Sequence, residues 1–267
     1  AMSRQAKSHE AMTAGSQTGI TRAIATMTVR QVLGVRRFIM LGLLALAPAV
    51  VLFFAAARTN DAGRTEAFVG IVSGMYFALV VPITALVLAS SSLGEERREE
   101  TLSFLVLRPV SRSRIAVAKV LGAFVAASAV AGLGAVAVNV VMALRGGGFE
   151  WLLPVLVGGL VGTAAYVGLF VPLGYAFEKA TLIGLAYVFI WETAVVGTLP
   201  GLSATSPWRI GLSAFAGLAP VEFEAVVGDF TPSNVVAGAG GATLKALVIL
   251  AIGTAVTTWL LARRDNV

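Results

Sequence analysis

The chain has 267 residues, 57% of them hydrophobic and 13% charged, with a formal net charge of +6. A soluble domain carries about 25% charged residues, and a single water-soluble core of this length would leave most of its apolar surface in water, a conflict that a bilayer removes. There is no cysteine, and the one histidine, His9, lies in a polar N-terminal stretch, which excludes disulfides, thiolate metal sites and a cysteine nucleophile and argues against histidine metal sites and Ser-His triads.

Ala1, ahead of Met2, is set aside as an added residue, and residues 1–19 read as a polar tail. In residues 20–37, Ile20, Ile24, Met27 and the pair Val32/Leu33 form a rough helical stripe, with Arg22, Arg30, Arg36 and Arg37 elsewhere. This pattern predicts an amphipathic helix lying on the inner membrane face; a frayed basic tail is the competing reading. Six apolar stretches of about 20 residues follow, long enough to cross a bilayer: residues 38–57, 68–89, 115–144, 152–177, 181–199 and 243–262. The third is too long for one crossing, which places its start near Lys119 at the interface. The first lacks an A-x-A cleavage site in the usual place and reads as a retained helix. The runs are continuous and do not alternate, so they predict helices and not barrel strands. The expected fold is an all-α integral membrane protein of about six transmembrane helices, with residues 20–267 as a single domain.

Basic residues set orientation. With the N-terminus inside, fifteen of the twenty Lys and Arg residues fall on the inner side, four (Arg58, Arg64, Arg145 and Arg209) on the outer side, and Lys245 at the outer edge of the last span. The expectation is a multi-pass protein of the cell membrane with both termini cytoplasmic. The positive charge then reflects topology, not nucleic-acid binding. The outer segment 200–242 is mildly apolar and contains Pro207, Trp208, Pro220, Phe223 and Pro232. It predicts short helices that dip into the outer leaflet and return, with Trp208 at the interface.

The inner segment after the second span is the informative one. Six consecutive charges, Glu95, Glu96, Arg97, Arg98, Glu99 and Glu100, precede an apolar run from Leu102 to Leu107. The like-charge pairs Glu95/Glu99 and Glu96/Glu100 weaken an isolated helix, so an external partner, or compensation by Arg97 and Arg98, is expected. Four acids suit the positive start of a short helix, and Pro109 ends it. Arg112, Arg114 and Lys119 mark the return to the membrane.

Glu95, Glu96, Glu99, Thr101, Leu102, Leu105, Pro109, Val110, Ser111, Arg112, Ile115, Lys119 and Gly122 together resemble the corresponding segment of ABC-2 type permeases. The six-span layout and the long loop before the last span are similar too. Glu100 stands where that family often has Gly. The resemblance implies a transport subunit that pairs with a second permease, identical or paralogous, and docks on a separate ATP-hydrolysing subunit. It implies that the helix between spans two and three enters a cleft of that ATPase, with the N-terminal helix contributing, and that ATP and Mg are bound by the partner. The chain contains no G-x-x-x-x-G-K-[ST] loop of its own.

Two intramembrane polar residues are candidates for translocation or gating. Glu192 lies about two-thirds through the fifth span, where a carboxylate must be paired, protonated or hydrated. Asn139, in the third span, reads more readily as a hydrogen bond between packed helices. Glu178 and Lys179, in a tight inner turn, offer a second contact to the ATPase or a solvated turn. Glu222, Glu224 and Asp229 read as solvated outer acids. An ion-coupled transporter is the main alternative function, although no inverted repeat is visible. A non-transporting component of an ATPase-linked complex is another. A membrane enzyme lacks a converging catalytic set, since no histidine is available to activate Ser73.

Overall fold

The computed structural model describes residue 19 and residues 22–98, 111–195, 206–220 and 238–263. Among these residues the backbone is helical apart from short turns. A polar end helix, α1, covers residues 22–32, and α2 (Val35–Ala55) follows after Gly34. A continuous helix, α3, then runs through Asp61–Ile71, Val72–Val80 and Val81–Arg98. It is followed by α4 (Arg112–Leu144) and α5 (Leu152–Ala176). The helix α6 comprises Ala180–Ala186 and Tyr187–Val195; α7 (Pro207–Ala216) is short, and α8 (Gly238–Arg263) is last. Among the described residues, five helices have the length and hydropathy to cross a membrane: α2, Asp61–Gly94 of α3, α4, α5 and α8. The apolar part of α6 is shorter, at Ala180–Glu192.

The distribution of side chains is the reverse of a soluble bundle. Ile39, Leu43, Val50 and Phe54 on α2, and Leu244, Leu247, Ile252 and Trp259 on α8, face outward, while Thr84, Asn139, Thr163 and Glu192 are buried. Outward apolar surface on this scale needs lipid or protein against it, and backbone polar groups satisfied within helices are what a bilayer demands.

The most enclosed of the five long apolar helices is α5, which packs against α3, α4, α7 and α8. Its contacts are made by small residues, as expected where dispersion and not the hydrophobic effect holds helices together. A Cβ on Gly168 would lie 2.8 Å from the Ile249 carbonyl oxygen of α8. Gly158 and Gly162 face Gly211 of α7, and Gly174 lies on the backbone of Ser90 in α3. At one end, the rings of Phe68, Trp151, Phe215 and Phe77 form a chain with successive centroids 5.4, 6.0 and 5.5 Å apart. They join the start of α3, the start of α5 and the end of α7. Arg145, just past α4, donates from Nη2 to the Phe53 carbonyl oxygen at 2.8 Å and stacks on the Phe53 ring. It thereby satisfies a carbonyl in the last turn of α2.

Three features differ from the sequence-based expectations. The inward stripe of α1 is Ile24, Ala25, Thr28, Val29 and Val32, whereas Met27 is 71% exposed. Thr28 donates to its own helix at Ile24 and meets α4 at Gly122. Rotation of the stripe follows from this crossing, because Gly122 leaves room for the small β-branched Thr28 against α4. Gly122→Leu is expected to release α1, read as faster tryptic cleavage at Arg22 and Arg30 with the rest of the chain intact. An unchanged cleavage rate would remove the crossing as the anchor.

The second difference is the helix before the charge run. It continues without a break through Arg98, so Glu95 and Glu96 extend a long helix instead of beginning a short one. Glu95 and Glu96 therefore lie far from the positive start of their helix, and its dipole does not favour them. The third concerns Arg209, expected in an outer loop. It is 7% exposed, within a helix almost wholly buried in the bundle. The segment around it is wedged among α5, α8 and α3.

Candidate functional site: a buried carboxylate at a helix start

Both α3 and α6 contain a nine-residue stretch with π-helical geometry, Val72–Val80 and Tyr187–Val195. In the first, the Val81 N–H reaches the Tyr76 carbonyl, five residues back. Such wide turns alter which side chains share a face. The second stretch carries Glu192, which is 3% exposed.

A carboxylate removed from water needs donors on its oxygens. Glu192 receives three. The Tyr166 hydroxyl of α5 donates to Oε2. The Ser206 hydroxyl donates to Oε1 at 2.8 Å, and the Trp208 backbone N–H donates to the same oxygen at 3.2 Å. Ser206 is the N-cap of α7, and its Oγ also accepts from the Arg209 N–H at 3.4 Å. Pro207 occupies the first helical position, where its missing N–H costs nothing. Glu192 thus takes one of the amides that α7 cannot bond internally and sits at its positive end. Tyr166 is held by stacking on Phe170 at 5.6 Å, and Phe170 meets Tyr187 edge-on at 6.2 Å. The result is a three-way junction of α5, α6 and α7.

These contacts fasten three helices to one another. Among the described residues there is no group of three or more His, Cys, Asp or Glu placed to hold a metal. The sequence singled out Glu192 but not its partners. The Ser206-Pro207 step is a helix-start pattern from which one of them could have been found. Tyr166 carried no signal, because nothing local links it to a residue 26 positions later.

Asn139 does not join this site. Its Nδ2 donates to the Ala135 carbonyl at 2.8 Å within its own helix, and Oδ1 is buried without a partner among the described residues. The expected bond between helices is therefore replaced by an intrahelical one.

At the opposite end of α5, Glu178 and Lys179 are exposed in a turn beside Ser90 and Gly94 of α3. The start of α4 is buried at Ile115, Ala116 and Lys119, with Arg112 partly exposed. The helix α1 crosses α4 one turn further on. Of the charge run, the structure describes the backbone of Glu95, Glu96, Arg97 and Arg98 only. Glu99, Glu100, Thr101, Leu102, Leu105 and Pro109 lie outside the described residues, as do Glu222, Glu224 and Asp229.

The sequence matches the family described as ABC-2 family transporter protein over residues 35–203. The chain belongs to the ABC-2 transporter family. No curated protein matches it. The family match spans the charge run and Glu192 but ends before Ser206, so the junction joins the family region to α7 beyond it. As an ABC-2 family member, the chain is a multi-pass membrane protein of the permease type.

Proposed function

We propose that this ABC-2 permease is the membrane subunit of an exporter driven by a separate ATP-binding-cassette subunit. ATP and Mg are bound by that partner, and two permeases, identical or paralogous, form the transmembrane unit. Both termini and the Glu95–Pro109 segment face the cytoplasm, toward the ATPase.

The observation that carries this reading is the path of α3. One helix leads from the buried aromatic cluster at Phe68 and Phe77, past the close backbone contact of Gly174 with Ser90, to Glu95–Arg98. A force applied at the charge run therefore acts on an element packed along α5. The turn at Glu178 and Lys179 lies beside its exit point, and α1 lies against the start of α4. In this reading these three parts meet the docked ATPase. Closure of the ATPase on ATP would push on them and shift α3 against α5. An ion-coupled transporter needs a carboxylate that exchanges its partners with solvent; Glu192 is already taken by three donors.

The test is capture of the tagged full chain from its native membrane, beside a variant with Glu95, Glu96, Glu99 and Glu100 changed to Ala. The expected result is an ATP-hydrolysing subunit that accompanies the native chain and is reduced at least about tenfold with the variant, whose thermal midpoint is unchanged. Equal recovery with both would place docking elsewhere. Absence of any ATPase under conditions that preserve other membrane complexes would return the ion-coupled reading, with Glu192 as its first residue.

A further inference from the structure

A groove of about 530 Å³ opens on the side of the bundle, next to the Glu192 junction. That is within the range of small-ligand sites, about 300–1,000 Å³. Its walls come from four helices: Leu169 of α5, Tyr187 of α6, Ile210 of α7, and Leu244 and Val248 of α8. The lining is apolar except for the Tyr187 hydroxyl and one cation, Lys245.

The position of Lys245 is the informative point. It lies seven residues after Gly238, about 10 Å along the α8 axis. A lysine beside apolar surface near the edge of a span must pair or extend its ammonium toward a polar layer. Among the described residues no carboxylate pairs with it. Glu192 is bonded instead to Tyr166, Ser206 and Trp208. An apolar groove whose one cation has no carboxylate partner among the described residues is complementary to an amphiphile with an acyl chain and a single anionic head.

We propose that this groove binds an anionic phospholipid, with an acyl chain along Ile210, Val248 and Leu169 and the phosphate on the Lys245 ammonium. Because Tyr187 and Pro207 line the groove and also flank Glu192 and its donors, an occupied groove braces α6 and α7 together. The inference goes beyond the exporter reading and does not depend on which ATPase docks.

The experiment is native mass spectrometry of the full chain released from micelles containing equal phosphatidylglycerol and phosphatidylcholine. The native chain and Lys245→Arg are expected to retain phosphatidylglycerol over phosphatidylcholine by about five-fold, the effect of one cation near a headgroup. Lys245→Gln is expected to bind both lipids equally. Val248→Trp, at a half-exposed position that leaves the core intact, is expected to bind neither above the level of bulk micelle lipid. No preference in the native chain, or an unchanged preference in Lys245→Gln, would overturn the proposal. So would efficient crosslinking of two chains through cysteines placed at Leu244, because the groove would then be a contact between copies. If Val248→Trp fails to fold, Lys245→Gln decides alone.

Discussion

Glu192→Ala is expected to lower the stability of the detergent-solubilised chain by about 2–4 kcal/mol, because it strands buried donors and does not merely delete one bond. Tyr166 Oη, Ser206 Oγ and the Trp208 N–H all point at the carboxylate. Ala supplies no acceptor, and the position is only 3% exposed. Glu192→Gln is the informative companion. Its amide oxygen still accepts from Ser206 and Trp208, and its NH₂ group faces a tyrosine hydroxyl that is able to accept. The Gln variant is therefore expected to lose less than half as much. Thermal unfolding followed by tryptophan fluorescence measures both, since Trp208 lies at the junction. Equal midpoints for native and Ala chains would sink the assignment of Glu192 as a fastener.

Gly168→Leu is expected to have the second large effect, at least about 3 kcal/mol, through a different mechanism. The α5 and α8 backbones meet there, and a Cβ would lie 2.8 Å from both the Ile249 oxygen and the Leu250 Cα. A clash with backbone cannot be relieved by turning a rotamer, so α8 must move away from α5. Gly70→Leu is the control: a Cβ at Gly70, an exposed position in α3, meets nothing within 4 Å. Size-exclusion profile and trypsin resistance should be near native for Gly70→Leu and lost for Gly168→Leu. A native-like Gly168→Leu chain would mean that the helices do not cross as closely as described.

These two positions also show how much could be read in advance. Glu192 was visible because a lone carboxylate in an apolar run conflicts with its solvent, whatever it packs against. Gly168 was not. It is one of 29 glycines, and nothing in its neighbours distinguishes a crossing point from the exposed face at Gly70. The π-helical turns were equally hidden. Their residues, such as Val72–Val80, are almost uniformly apolar, so no change of period is written in the pattern. For the same reason the stripe on α1 was misplaced by including Met27, since the choice between Met27 and Thr28 depends on the shape of α4 at Gly122. The charge run led to the right family because charges beside a bilayer are rare and costly, which makes their arrangement distinctive.

The segment before α8 marks the boundary between the two kinds of information. Its prolines, Trp208 and mild hydropathy indicated short membrane-dipping helices. They did not indicate that Arg209 and nearly all of α7 would be enclosed. The sequence by itself determined that the chain is helical, that it lives in a membrane, and where its long apolar runs fall. Those properties follow from the solvent: lipid offers no hydrogen bonds, and a helix satisfies its own. The tertiary structure alone decided that α5 is the hub, that α7 is wedged into the bundle, and that Glu192 finds Tyr166, Ser206 and Trp208. Lipid is about as apolar as the helix faces, so hydropathy does not select among partners. Close fit of small residues and a few buried polar groups makes that selection, and both exist only once the helices have met.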